Sequence, residues 1–159
     1  MKYYKALLFG SIGSIVETSE IQRKSFNEAF KQYGLDWNWT KREYQRLLSK
    51  SGGKDRISRY AKKKKNIVNS ENLRNLKTKI FNNYLKKNHL KLRPGVKNLI
   101  SLCKKENIKI AFVSSTSLNN INAILYCLRN SIKKRDFSFI GNAKLIKKFK
   151  PNPDVYLLA

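Results

Sequence analysis

Residues 108–118 read IKIAFVSSTSL, and the stretch divides at Val113. Its first six residues are a continuous apolar run broken only by Lys109, the pattern of a strand buried on both faces of a parallel sheet. Four hydroxyl residues come next, Ser114 to Ser117. Leu118, Ile121, Leu125 and Leu128 then recur at helical spacing. Upstream, Pro94 suits the first turn of a helix continued by Val96, Leu99, Ile100 and Cys103. Downstream, Phe137 to Ile140 reads as a further strand, and Pro153 to Ala159 as a helix just begun.

The N-terminal half repeats the strand signal once. Tyr3 to Phe9 (YYKALLF) reads as a short buried strand ended by Gly10 to Ser14. Helical patterns fill the space between the two strands. Ser19 and Gln22 fit a capping box, Phe26, Ala29, Phe30 and Tyr33 keep one face apolar, and Gly34 is a natural residue just past a helix end. A second helix starts at Thr40 with Glu43 three residues on, buries Tyr44, Leu47 and Leu48, and is expected to stop at Gly52 and Gly53. A short segment carries Ile57 and Tyr60, and Lys62 to Lys65 reads as a solvated charge run. Ser70 opens a long helix with Leu73, Leu76, Ile80, Phe81 and Tyr84 inside. The order predicts an α/β fold: a Rossmann-like parallel core at 1–16 and 91–159, with an all-helical domain inserted at 17–90.

Composition narrows the function classes. The chain has 159 residues, 35 Lys+Arg against 10 Asp+Glu, and a net charge of +25. With 41% hydrophobic and 11% aromatic residues it is not a disordered polyelectrolyte. No apolar run reaches the roughly 18 residues of a membrane span, and the N-terminal apolar stretch is too short and too glycine-broken for a signal peptide. Cys103 and Cys127 make no disulfide framework, which points to a reducing compartment, cytoplasmic or like a plastid stroma. They are expected to be buried thiols. His89 as the single histidine excludes a Cys/His zinc site; it reads as ordinary helix-end polarity, and Trp37 and Trp39 as hinge packing. The charge is uneven: residues 41–100 hold 19 basic and 3 acidic residues. That leaves a nucleic-acid partner as an alternative to a coding bias toward Lys, Asn and Ile.

In an open parallel sheet, ligands sit outside the carboxyl ends of the strands. The loops there are Gly10 to Ser14, Ser114 to Ser117, and Lys147 to Pro151. Glycines, hydroxyls and a lysine in such places suit a phosphate, through N–H and O–H donors and ammonium charge. Serines after a strand equally serve as helix caps, so the local pattern leaves both readings open.

Longer strings carry more. KALLFGSIGSIVETSE (5–20), the W-x-W of 37–39, GGKDRI (52–57), LRPGVKNLI (92–100), IAFVSSTSL (110–118) and KPNPDVYLLA (150–159) succeed one another in an order that resembles the haloacid-dehalogenase-like superfamily. The likeness is strongest to its CbbY-like phosphatases, relatives of beta-phosphoglucomutase. It implies a phosphatase core with a helical cap, and Mg²⁺-dependent dephosphorylation of a sugar phosphate or bisphosphate such as xylulose bisphosphate. It further implies that Ser114 holds the transferred phosphoryl group and Lys150 neutralises its charge. Gly13 and Ser14 fall on the Gly-Thr that comes after the family's aspartates. Glu17, Gly52, Gly53, Lys54 and Arg56 would face the substrate from the cap side.

The same resemblance exposes a departure. Where the family has its nucleophilic aspartate this chain has Gly10, and where it has the acid/base aspartate, Ile12. Glycine has no side chain, and isoleucine neither carries a proton nor ligates a hard cation. The family's acidic loop beyond the KPNPD string has no counterpart before Ala159, which reads as a truncated core. The expectation is a catalytically degenerate homologue with no intact catalytic residue, no metal site and no cofactor. Its partner would be a sugar phosphate or phosphate anion, with nucleic acid the alternative and no membrane.

Overall fold

The computed structural model describes residues 4–10, 13–87 and 90–159. Ile12, Ser11, His89 and the start of the first expected strand lie outside the described residues. The described chain forms two compact units, one of residues 1–18 with 89–159, the other of 19–88.

The first unit is built on a parallel sheet of order β1-β2-β3, with β1 Ala6–Phe9, β2 Lys109–Val113 and β3 Phe139–Gly141. Leu8 stands opposite Ala111, and Phe112 opposite Ile140. β2 is central, and Ile110 to Val113 are all buried. On one face Ala111 and Val113 pack with Val155; on the other, the Phe112 and Phe137 rings meet edge to face at 5.6 Å. The expectation of a buried first strand is corrected: Leu8 is 38% exposed, because among the described residues β1 pairs only with β2 and forms the sheet edge.

Four helices of the second unit come after β1: α1 Ser19–Gln32, α2 Lys41–Leu47, α3 Gly53–Lys64 and α4 Ser70–Lys87. α1 ends as the sequence suggests. Gly34 takes φ 77°, its N–H donates to the Lys31 carbonyl and the Leu35 N–H to that of Phe30, a Schellman closure. Thr40 caps α2 by accepting the Glu43 N–H at 3.2 Å. Gly52, expected to stop α2, instead caps the start of α3 with φ 94°. Trp37 and Trp39 lie in the unit's aromatic core, with ring centroids 4.7 to 5.3 Å from Phe26, Phe30 and Tyr60.

The chain returns to the first unit through a tight turn. The Arg93 carbonyl accepts the Val96 N–H at 3.2 Å and Gly95 has φ 81°, so Arg-Pro-Gly-Val forms a type II turn with Pro94 and Gly95 at its two centre positions. Pro94 thus precedes α5 (Val96–Lys105) rather than opening it. α6 (Leu118–Cys127) comes after β2, capped by Ser117, and α7 (Asp154–Leu157) after β3. Gly141 has to be glycine: a Cβ there would sit 2.5 Å from Val155 Cγ2. Cys103 is buried as expected, Cys127 only partly, and neither is in a disulfide.

Candidate active site

The three loops singled out in the sequence meet in the first unit. Gly10 ends β1, Ser114 ends β2, and Lys150 lies between β3 and α7. Outside its chain neighbours, a Cβ on Gly10 would meet two described atoms within 4 Å, Ser14 Oγ at 3.2 Å and Lys150 Nζ at 4.0 Å. Ser14 Oγ donates to the Gly10 carbonyl at 2.7 Å. Gly13 has φ 79°, a conformation that favours glycine, and its N–H donates to the Val16 carbonyl.

Lys150 is held from three sides. Its N–H donates to Ser115 Oγ at 3.0 Å, its ammonium donates to the Val113 carbonyl at 3.0 Å, and Nζ stands 4.5 Å from the centre of the Tyr156 ring. Ser114 is 5% exposed, and its Oγ accepts the Thr116 N–H at 3.2 Å. Asn120, on the first turn of α6, donates to Thr116 Oγ1, and the Thr116 carbonyl accepts the Ala143 N–H. The result is a hydroxyl, a cation and a short turn at the carboxyl ends of adjacent strands, an arrangement that attracts an oxyanion.

The braces of this site are not legible in the local pattern. Ser115 and Thr116 lie inside the expected loop, but nothing in their spacing gives them a role. Tyr156 reads from sequence only as part of a helix start, although its place in the KPNPDVY string, six residues after Lys150, is the signal that finds it.

The remaining residues expected at the site divide between the units. Glu17 is exposed in the first unit, 3.9 Å from the Arg93 guanidinium. In the second, Lys54 is exposed and pairs with Glu71 at 3.4 Å. A Cβ added on Gly53 would make only ordinary contacts, with Phe26 and Arg74, whereas one on Gly52 would meet Asp55 Oδ2 at 3.0 Å. Arg56 is buried: it donates to the Leu47 carbonyl at 2.9 Å and the Lys50 carbonyl at 3.0 Å. Burial lowers its pKa. Its guanidinium therefore ties down the end of α2 and the loop leading to the glycines. Lys62 to Lys65 are exposed at the carboxyl end of α3, where the helix dipole favours cations; that accounts for the run with no partner invoked.

A hard cation such as Mg²⁺ takes carboxylate, carbonyl and water oxygens. The residues present do not fit it. Gly10 offers no carboxylate, Ser14 Oγ is directed to the Gly10 carbonyl, Asp154 Oδ2 accepts the Lys148 N–H, and Lys150 fills the neighbourhood with positive charge. Among the described residues no group of three or more His, Cys, Asp or Glu side chains gathers.

The fold and the loops define a class, and comparison with known proteins agrees. The family model of haloacid dehalogenase-like hydrolases matches residues 13–159; the chain belongs to this family. Among curated proteins it is similar to Protein CbbY of Cereibacter sphaeroides, 34% identical over 158 residues, covering 98% of this chain and 69% of the relative. Among solved structures it is similar to a mutant of CbbY from Rhodobacter sphaeroides in complex with xylulose-(1,5)bisphosphate, with TM-score 0.91 and 33% identity, covering 98% of this chain and 71% of that one. The same protein in complex with phosphate matches equally, TM-score 0.91. Among the described residues no helix is long and apolar enough to cross a membrane.

Proposed function

We propose that this chain is a CbbY-like hydrolase homologue that binds a phosphate group in its α/β core without carrying out the hydrolysis of its relatives. The core is assigned to residues 1–16 and 91–159 and the helical cap to 17–90. One observation carries the reading: Lys150 Nζ stands 4.0 Å from the Cβ position of residue 10, and residue 10 is glycine. The anion-holding cation has been kept beside a place where no carboxylate can attack phosphorus.

Each residue then has a binding role. Lys150 supplies charge, Ser114 a hydroxyl, and Gly13 with Ser14 a turn close to the phosphate. Glu17, Gly52, Gly53 and Lys54 are assigned to the sugar, and Arg56 positions the loop before the glycines. The ligand class is a sugar phosphate or bisphosphate, the class to which the xylulose bisphosphate bound by CbbY belongs. Cys103 and Cys127, outside any disulfide, suit a reducing setting, cytoplasm or plastid stroma.

Loss of a covalent nucleophile and of acid/base help each costs about 10² or more in rate. The test is phosphate release from xylulose-1,5-bisphosphate with and without Mg²⁺, run beside a calorimetric titration. Binding without release is the expected result. Mg²⁺-dependent release that disappears in Ser114→Ala would overturn it.

A further inference from the structure

One buried cation of the helical unit has no part in the candidate site. Lys77, on α4, is 5% exposed and makes no ion pair among the described residues. It donates to the side-chain amide oxygen of Gln22 on α1. Its Nζ stands 4.8 Å from the centre of the Phe26 ring of α1 and 4.7 Å from that of Phe81 on α4. An ammonium has three donors, so the charged form is short of polar acceptors here. A neutral amine is much cheaper to bury.

The charged groups around it add to that cost. Arg56 of α3 and Arg74 of α4 are both cations, whereas Gln22 and Phe26 of α1 carry no charge. Glu71, on the first turn of α4, is already engaged by Lys54 and Arg74. Desolvation first, then the two arginines, bring the pKa of Lys77 from 10.5 to about 7. The same contacts reach the glycine loop. A Cβ added on Gly53 would lie 3.8 Å from Phe26 Cζ and 3.9 Å from Arg74 Cγ. The start of α3 therefore rests on the ring that Lys77 faces and on the arginine one turn before it on α4.

We propose that Lys77 is a proton-operated catch of the helical unit. Neutral, it lets α1, α3 and α4 close around it; on taking up a proton it is drawn toward water, and the joint of the three helices opens more often, together with the Gly52–Gly53 start of α3. This goes beyond the phosphate-binding reading and does not depend on it. The direction follows from linkage. Opening hydrates the amine and restores its ordinary basicity, so the open joint holds the proton more tightly than the closed one. As pH falls from 10.5 to about 7, opening grows by about tenfold per unit, and below that it levels off.

Hydrogen exchange of the full chain, read by mass spectrometry at about pH 7.5, 8.5 and 9.5, tests it. Exchange in peptides of α1, α3 and α4 is divided by that of the β2 peptide in the same sample, so that the base catalysis of exchange cancels. In the parent chain this ratio is expected to fall by about tenfold per pH unit. In Lys77→Met it should start lower at about pH 7.5 and stay constant. His89, the single histidine, is present in both chains, so its titration does not distinguish them. If Lys77→Met fails to fold, the slope of the parent still decides. A parent ratio that is flat in pH would overturn the proposal, and so would a slope that survives in Lys77→Met, since it would belong to another group. Neither result bears on whether the α/β core binds phosphate.

Discussion

Each unit contains a half-buried or buried lysine that no carboxylate among the described residues neutralises, and the two are handled in opposite ways. Lys150 in the α/β unit lies half-buried at the end of the sheet, its Nζ 4.0 Å from the Cβ position of Gly10. Lys77 in the helical unit is 5% exposed, donates to the Gln22 amide oxygen, and sits by the faces of Phe26 and Phe81 at 4.8 and 4.7 Å. Desolvation, and then the Arg56 and Arg74 cations, lower its pKa to about 7. A bare cation therefore has two meanings. Half-buried among loop hydroxyls at the strand ends, it is equipped to take an anion; walled by aromatic rings and an amide, it is a core component that sheds its proton. Gln22, expected from sequence in a capping box, belongs to this second arrangement as the acceptor for Lys77.

The contrast breaks most readily in the helical core. Trp39→Ala removes a side chain with no exposure, in contact with four other rings. It is expected to cost about 3–5 kcal/mol in urea unfolding. A cost under about 1 kcal/mol, well below that range, would mean this unit is not held by its aromatic cluster.

Next in size is Lys77→Met. Between about pH 7 and the ordinary lysine value of 10.5, the unfolded chain holds a proton that the folded chain does not. Stability of the parent therefore rises with pH across that window, by up to about 1.4 kcal/mol per unit. Methionine should abolish that rise and add about 1–4 kcal/mol at pH 7. Urea midpoints at about pH 6, 8 and 9.5 read both effects, and a parent curve flat in pH would show that Lys77 keeps its charge.

In the α/β unit the tight spot is Gly141. Gly141→Ala drives a methyl group against Val155 and should cost about 1–3 kcal/mol, seen as a lowered melting temperature. The smallest effect is expected at the open edge. Leu8→Thr, on a half-exposed edge position, should change stability by no more than about 0.5 kcal/mol. A larger loss would mean that the outer side of β1 is covered in solution.

Much of the fold is legible because periodicity reports burial. The apolar run of 108–113 predicts a central strand, and Gly34 and Thr40 mark helix ends through backbone chemistry that is local. The first strand misleads because its composition matches β2 while its place in the sheet does not. The glycines at 52 and 53 point to the end of α2 but open α3, since a positive-φ residue can close one helix or begin the next, and packing around it selects which.

The site is half legible. Ser114 and Lys150 can be placed from their strings, and the missing carboxylate at Gly10 is a fact of sequence. That a carbonyl, a hydroxyl and the Tyr156 ring brace Lys150 is not, because these groups come from separate stretches of chain. The residues alone thus settle the family, the parallel core with its helical insertion, and the loss of an acidic side chain at position 10. Tertiary structure was needed to decide that the ammonium of Lys150 lies close to that position and that Lys77 is an interior residue. Local propensity and hydrophobic period act over a few residues, whereas desolvation and the meeting of distant side chains depend on how the whole chain closes.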